Sequence, residues 1–400
     1  MSRPTHVTSG PYAPPTPARE LTAVSADGAH VHVEIHGPEG APTVVLAHGW
    51  TCSTAFWAHQ VRDLRADHRV VVYDQRGHGR SPAPVTGDGY STRALADDLT
   101  AVLEAALAPG EQALLVGHSM GGMTIIAAAG RPAVRARTAA ALLLSTGSGD
   151  LAARARVLPL RAGRLRTRLT RAVLGSKAPL GPVTPLGARL LRYGTMSPGT
   201  APDRVEVCAR IVHACPRAVR HGWSQVLDSL ALGAGVGKLT VPTAVVVGTA
   251  DRLTPRVHAH DLVTSLPHCV GLAELTGVGH MTPVEAPEAV SDRIRDMVAA
   301  YVDHRPTDDD PVPTAPTAPT AHPVHTTQPT RTTQQAQPTH PVPEQPASPE
   351  GATTPQADTN RSADTNRSAD IKRTGAGDDP ADESTHDPID GRDTNGASST

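Results

Sequence analysis

Ser119 stands at the centre of Gly117-His118-Ser119-Met120-Gly121-Gly122, between the apolar run Gln112–Val116 and the helix-like stretch Met123–Ala129. A serine at the apex of a strand-to-helix turn meets the requirements of a nucleophile. Such a turn strains the apex backbone and pushes the hydroxyl out of the sheet. Gly117 and Gly121, two positions to either side, carry no Cβ where chain segments come close. The next amide, Met120 N–H, points from a helix start toward the place where an oxyanion would form. A hydroxyl nucleophile at neutral pH needs a base, and the base needs an orienting acid. His280, in the glycine-rich Thr276–Pro283 segment after the last apolar strand, is the candidate base. Asp251, directly beyond Val245–Val247, is the candidate acid, with a helix N-cap near Thr254-Pro255 as its competing role. Asp150 is a rival acid, but it lies several residues past the end of the preceding strand, Leu142–Leu144. Together these three residue types offer acyl transfer through a covalent serine intermediate.

The elements needed to position them are legible as apolar runs. Thr43–Ala47, Arg69–Tyr73, Leu114–Val116, Thr138–Leu144, Thr240–Val247 and Cys269–Glu274 read as strands. Helical stretches separate several of them, Ser91–Leu107 before the Ser119 strand and Glu285–Tyr301 at the end. Continuous Val/Leu/Ala strands alternating with helices predict an α/β fold, a mostly parallel sheet with helices on both faces. In such sheets sites form at the carboxyl ends of the strands, where Ser119, Asp251, His48-Gly49-Trp50 and Asp74–Ser81 all fall. Ala29–His36 alternates, with Val31, Val33 and Ile35 on one face and His30, His32, Glu34 and His36 on the other. The polar set reads as the solvated face of a half-exposed strand in preference to a metal site.

Composition bounds the folded part. From His304 onward there is no Phe, Trp or Tyr, 15 prolines, and 15 acidic against 7 basic residues, with the tandem hexads Ala357–Ser362 and Ala363–Ser368. Such a segment cannot bury enough apolar surface to offset its ordering entropy, so 304–400 is expected to be a disordered tail. Residues 1–19 are expected to be a flexible lead-in. The net charge of +6 over residues 1–303 is too mild to argue for a nucleic-acid partner. No run of eighteen apolar residues and no secretory apolar core occurs, and Cys52, Cys208, Cys215 and Cys269 show no paired spacing. These features predict a cytoplasmic protein with reduced thiols. The seven-residue step from Cys208 to Cys215 suits one packed helix face.

Five motifs in order, His48-Gly49-Trp50, Asp74–Ser81, Gly117–Gly122, Gly248–Asp251 and Gly279–Pro287, resemble those of the α/β-hydrolases of the esterase, epoxide-hydrolase and haloperoxidase-like group. The order Ser119, Asp251, His280 is that fold's triad order. The resemblance implies an oxyanion hole from the Trp50 and Met120 amides, a bracing role for Asp74–Ser81, and neither cofactor nor metal. It implies a core of residues 20–149 and 239–303, with 150–238 as a helical cap. The implied activity is hydrolysis of a small carboxylic ester or related acyl compound. Perhydrolysis, C–C bond hydrolysis and acyl transfer use the same triad, and a hydrolase-derived ligand receptor shares the scaffold. Relatives that open epoxides or displace halide carry an apical aspartate, which disfavours those reactions here.

Residues 150–238 are lopsided in charge, with 15 basic and 4 acidic side chains and no acid at all between 151 and 202. Leu151, Leu158, Leu165, Leu169 and Val173 recur at helical steps, with arginines mainly off that stripe. The favoured expectation is a cap helix docking its leucines on the core; the alternative is contact with an anionic lipid surface.

Overall fold

A computed structural model describes residues 12–181 and 183–303. The expected tail 304–400 and the first eleven residues lie outside that range. Eight strands form one sheet: β1 (Arg19–Val24), β2 (His30–His36), β3 (Thr43–Ala47), β4 (Arg69–Tyr73), β5 (Ala113–His118), β6 (Thr138–Leu144), β7 (Thr243–Gly248) and β8 (Cys269–Leu275). Their spatial order is β1-β2-β4-β3-β5-β6-β7-β8. β1 and β2 run antiparallel to their neighbours, and β3 to β8 with β4 are parallel.

Helices α1 (Ala58–Leu64), α2 (Thr92–Ala106), α3 (Met120–Ala128) and α4 (Pro132–Ala136) connect the first strands. Between β6 and β7 come α5 (Leu151–Arg154), α6 (Arg164–Leu174), α7 (Pro185–Thr195), α8 (Pro202–Ala214), α9 (Arg217–Asp228) and α10 (Gly233–Val236). α11 (Arg256–Ser265), α12 (Thr282–Glu285) and α13 (Pro287–Tyr301) close the chain. α2 begins where Ser91 accepts the Ala94 amide at 3.1 Å, a side-chain N-cap.

Successive strand residues serve two cores. Val45 and Ala47 of β3, Leu115 of β5 and Val245 and Val247 of β7 meet α2, α3 and α11 on one face. Val44 and Leu46, Leu114 and Val116, and Ala244 and Val246 meet α13 and the aromatic pair Phe56 and Trp57 on the other. This period of two, apolar at every step, is the pattern of a sheet covered on both faces. The chain crosses over at β3, which sits between β4 and β5. A crevice opens outside the carboxyl ends of such strands, and Ser119 follows β5 there.

Three expectations are corrected. The polar face of β2 is solvated at its start, where His30 is exposed and His32 half-buried, but not at Glu34 and His36, which the Thr54 and Arg80 segments cover. Glu34 and His36 are 5% and 2% exposed. The Glu34 carboxylate accepts from Thr54 Oγ1 at 3.2 Å and from Arg80, and lies 3.2 Å from His36 Nε2. Hydrogen bonds from His32 and His36 and the Arg80 charge hold it well below the usual carboxylate range despite its burial. Cys208 and Cys215 do not share a helix face: α8 ends at Ala214, and the two thiols enter different cores. The leucine stripe of 151–173 is not one helix. α5 stops at Arg154, α6 starts after Gly163 at φ 151°, and Leu165, Leu169 and Val173 face solvent while Thr170 turns inward.

Candidate active site

Ser119 occupies the turn between β5 and α3 at φ 51° and ψ −116°, a conformation that costs on the order of 1–3 kcal/mol for a residue with a Cβ. Its surroundings impose it. The Ser119 amide donates to Leu144 O at 2.9 Å, and its carbonyl accepts from Thr146 Oγ1 at 2.7 Å and Met123 N at 3.1 Å. A Cβ on Gly117 would come within 2.5 Å of the Gly122 nitrogen, and one on Gly121 would overlap the Ala47 carbonyl oxygen. Both positions therefore exclude any other residue. The Met120 amide heads α3, and among the described residues neither it nor the Trp50 amide donates to backbone outside the regular elements. Gly49, the residue before Trp50, runs so close that an added Cβ would lie 3.2 Å from Ser119 Cβ.

Asp251 and His280 are joined, with His280 Nδ1 donating to Asp251 Oδ2 at 2.8 Å. Both side chains are nearly inaccessible. The remaining acceptor capacity of Asp251 is filled by the Leu253 amide at 2.8 Å and the Thr254 amide at 2.9 Å. The Thr254 hydroxyl lies 2.9 Å from both Asp251 Oδ2 and Ser145 O, to either of which it can donate its proton. A carboxylate so held stays in place and keeps the imidazole proton on Nδ1, leaving Nε2 as the basic nitrogen. Among the described residues Ser119 Oγ and His280 Nε2 make no hydrogen bond with each other. Asp150, the rival acid, is N-terminal to α5, exposed, and 3.9 Å from Arg154.

Four residues that sequence reasoning did not single out complete the surroundings. His118 Nε2 donates to the His280 carbonyl at 2.9 Å, tying the serine turn to the histidine loop across 162 residues. Glu285 accepts from the amides of Gly279 at 3.1 Å, Met281 at 3.1 Å and Ser197 at 2.8 Å, and from Thr200 Oγ1 at 2.7 Å. It brackets His280 from both sides. Gln75 takes the Thr124 hydroxyl at 2.7 Å and donates to His48, and Thr254 has been described. Glu285 lay inside a quoted motif, but its spacing alone carried no hint of these partners.

Buried neutral histidines hold the neighbouring loops. His48 Nδ1 donates to Gly49 O at 2.8 Å and its Nε2 accepts from Gln75 N at 3.0 Å. His78 Nε2 accepts the Thr51 amide at 3.2 Å. Burial pushes His48 down to about 3 and His78 down to about 4, and His118 also falls well below its ordinary value. Asp74 accepts the Thr54 amide at 2.7 Å and the Arg80 amide at 2.9 Å, with burial raising its carboxyl to about 6. This is a brace for the two loops, and no part of Asp74 is free to react. Arg76 pairs with Asp98, its Nε 2.6 Å from Oδ2, and its carbonyl accepts the Trp223 indole at 3.1 Å.

The helices between β6 and β7 touch the site at several points. Thr195 O accepts the His280 amide at 2.9 Å, and Trp50 Nε1 donates to Arg220 O at 3.1 Å. A surface cavity of about 690 Å³ lies between α9 and the Gly87–Tyr90 turn, lined by Lys177, Arg217, His221 and Val226 among others. Neither Ser119 nor His280 lines it.

Residues 44–293 match the family model described as the alpha/beta hydrolase family. That span is well over half the chain. The chain belongs to the alpha/beta hydrolase family. It is accordingly an enzyme of the hydrolase class. A protein of Variovorax paradoxus that bears the provisional name carbamate hydrolase RutD is 30% identical over 273 residues, which is 67% of this chain and 96% of that protein. An esterase of Thermogutta terrifontis has the same fold at a TM-score of 0.58 and 21% identity, over 71% of this chain and 99% of its own. A bromoperoxidase of Bacillus anthracis aligns at 0.57 and 19%, over 70% and 100% respectively. No described helix is long and apolar enough to cross a membrane.

Proposed function

We propose that this alpha/beta hydrolase cleaves small carboxylic esters through an acyl-enzyme on Ser119, with His280 as base, Asp251 as its orienting acid, and the Trp50 and Met120 amides as oxyanion hole. The observation that carries the reading is the strained serine at the head of α3, on a turn that His118 ties to the loop holding the buried Asp251–His280 pair. Ser119 Oγ attacks the carbonyl carbon and yields its proton to His280 Nε2. The two amides take the charge of the tetrahedral oxygen. Collapse breaks the ester C–O bond, and His280 returns the proton to the leaving alcohol. Water then repeats the sequence on the acyl-enzyme and releases the acid. Helices α5 to α10, residues 150–238, act as the cap over this crevice. Contacts of Thr195 with His280 and of Arg220 with Trp50 support that role.

The relationship to the protein named a carbamate hydrolase favours one second reading, a carbamate as the acyl compound. The triad steps are the same, with a carbamoyl group on Ser119. A fluorophosphonate probe should label Ser119, located by peptide mass. Ser119→Ala should abolish labelling and lower turnover of p-nitrophenyl esters by ~10⁴-fold or more. Retention of most activity in that variant rejects the assignment. A parallel panel of esters and carbamates of matched size separates the two substrate classes.

A further inference from the structure

Helices α6 and α7 turn leucines outward where a solvated cap helix would turn polar residues. Leu165, Leu169 and Val173 follow at four-residue steps along α6 and are 67%, 41% and 56% exposed. On α7, Leu186, Leu190 and Tyr193 share one face and are 67%, 64% and 41% exposed. The inward contacts of these helices are made by other residues, Thr170 in α6 and Leu191 in α7. Single exposed apolar residues are ordinary on protein surfaces, but stripes on successive helices mark an interaction surface.

Charge identifies what fits it. No acidic residue occurs between 151 and 202. Among the described residues Arg161, Arg164, Arg168 and Arg189 make no ion pair, whereas Arg171 is held by Asp228 at 2.7 Å. At helical spacing Arg164 and Arg168 flank the α6 stripe, and Arg189 adjoins the α7 stripe. An apolar stripe bordered by free guanidinium groups suits a surface that is oily beneath and anionic above.

We propose that the outward faces of α6 and α7 dock on an anionic lipid bilayer. A second copy of the chain is a poorer occupant, because a symmetric contact here would set the arginine rows against each other. The acidic segment 304–400 matches the charge but not the leucines: it contains no Leu, Met, Phe, Trp or Tyr. Docking would also bring the bilayer next to the proposed catalytic loops. Thr195 at the end of α7 accepts the His280 amide, and Arg252, beside Asp251, lies 4.3 Å from the Tyr193 ring centroid.

The test is co-sedimentation of the full chain with vesicles of phosphatidylcholine alone and of phosphatidylcholine with about one-third phosphatidylglycerol, at low ionic strength. Sedimentation is expected with the anionic vesicles only. Arg164→Gln and Arg168→Gln should each weaken it about fivefold. The double variant Leu165→Ser, Leu169→Ser should weaken it more than tenfold at unchanged charge. All of these side chains face solvent, so thermal midpoints should match the parent and exclude misfolding. Equal partition onto both vesicles, or parent-like binding by either set of variants, overturns the proposal. So does a dimer in size-exclusion chromatography that the leucine variants dissociate, which would assign the face to a second copy. None of these readouts depends on hydrolysis, so the two proposals stand or fall separately.

Discussion

Acidification from pH 7 to pH 5 should destabilise the fold by about 3 kcal/mol through the histidines that hold the loops of the candidate site. His48 and His78 are fully buried and neutral, shifted by burial to about 3 and about 4. In the unfolded chain both titrate near 6.5, so below that pH the unfolded state binds protons that the native state refuses. Their contribution is fully present above about pH 6.5 and declines as pH falls toward their native values. At 1.36 kcal/mol per pKa unit, each costs about 2 kcal/mol between pH 7 and pH 5, and about 4 together. Asp74 works the other way. Its carboxyl is raised to about 6, so native protonation returns about 1 kcal/mol as pH falls through that value. Glu34 is held low, and its contribution is lost only below the ordinary carboxylate range, outside this window. His118, also lowered, adds to the loss. Urea unfolding followed by circular dichroism at half-unit steps of pH measures the slope. His78→Gln, which retains an acceptor for the Thr51 amide, should flatten it by about 1.3 kcal/mol per unit. A stability that is flat or rising from pH 7 to pH 5 would show that these imidazoles are charged or solvated, and the argument would fail.

Two further outcomes concern the site. Asp251→Asn keeps the volume, but its oxygen must go on accepting the Leu253 and Thr254 amides, so its NH2 faces His280 Nδ1 and imposes the wrong tautomer; kcat on p-nitrophenyl esters should fall by ~10⁴-fold with an unchanged unfolding midpoint. A loss below tenfold would count against Asp251 as the orienting acid. Glu285→Ala leaves the Gly279, Met281 and Ser197 amides without their acceptor and should cost about 3 kcal/mol in urea unfolding. A change under 0.5 kcal/mol would mean that the His280 loop is held by other contacts.

The strands carrying the site were legible because both their faces are buried. Thr43–Ala47, Arg69–Tyr73 and Thr138–Leu144 are hydrophobic after their first residue and coincide with β3, β4 and β6. β1 went unread, since an edge strand with one covered face, at Arg19–Val24, carries too little apolar contrast. Ser119, Asp251 and His280 stand out in the sequence as candidates because each follows a strand end and is a residue type that acyl transfer requires. Glu285, His118 and Gln75 could not. Their roles depend on partners that the fold brings in from distant segments, as with the bond from His118 to the carbonyl of His280.

Periodicity also leaves unstated which face of an amphipathic element turns inward. His30, His32, Glu34 and His36 alternate with Val31, Val33 and Ile35, and polarity alone points the whole set to water, where only His30 is exposed. The Thr54 hydroxyl and the Arg80 guanidinium reach Glu34 from outside the strand and allow Glu34 and His36 to be buried too. In α6 the reverse happened, and the leucines assigned to the core lie outside it. Both departures have one cause. An element's inside is decided by the partner that covers it, and hydrophobicity records only that some partner is needed. For β2 that partner is another part of this chain, found once the sheet is assembled. For α6, no described residue of this chain fills the role, so its leucine pattern is best tested against an anionic bilayer.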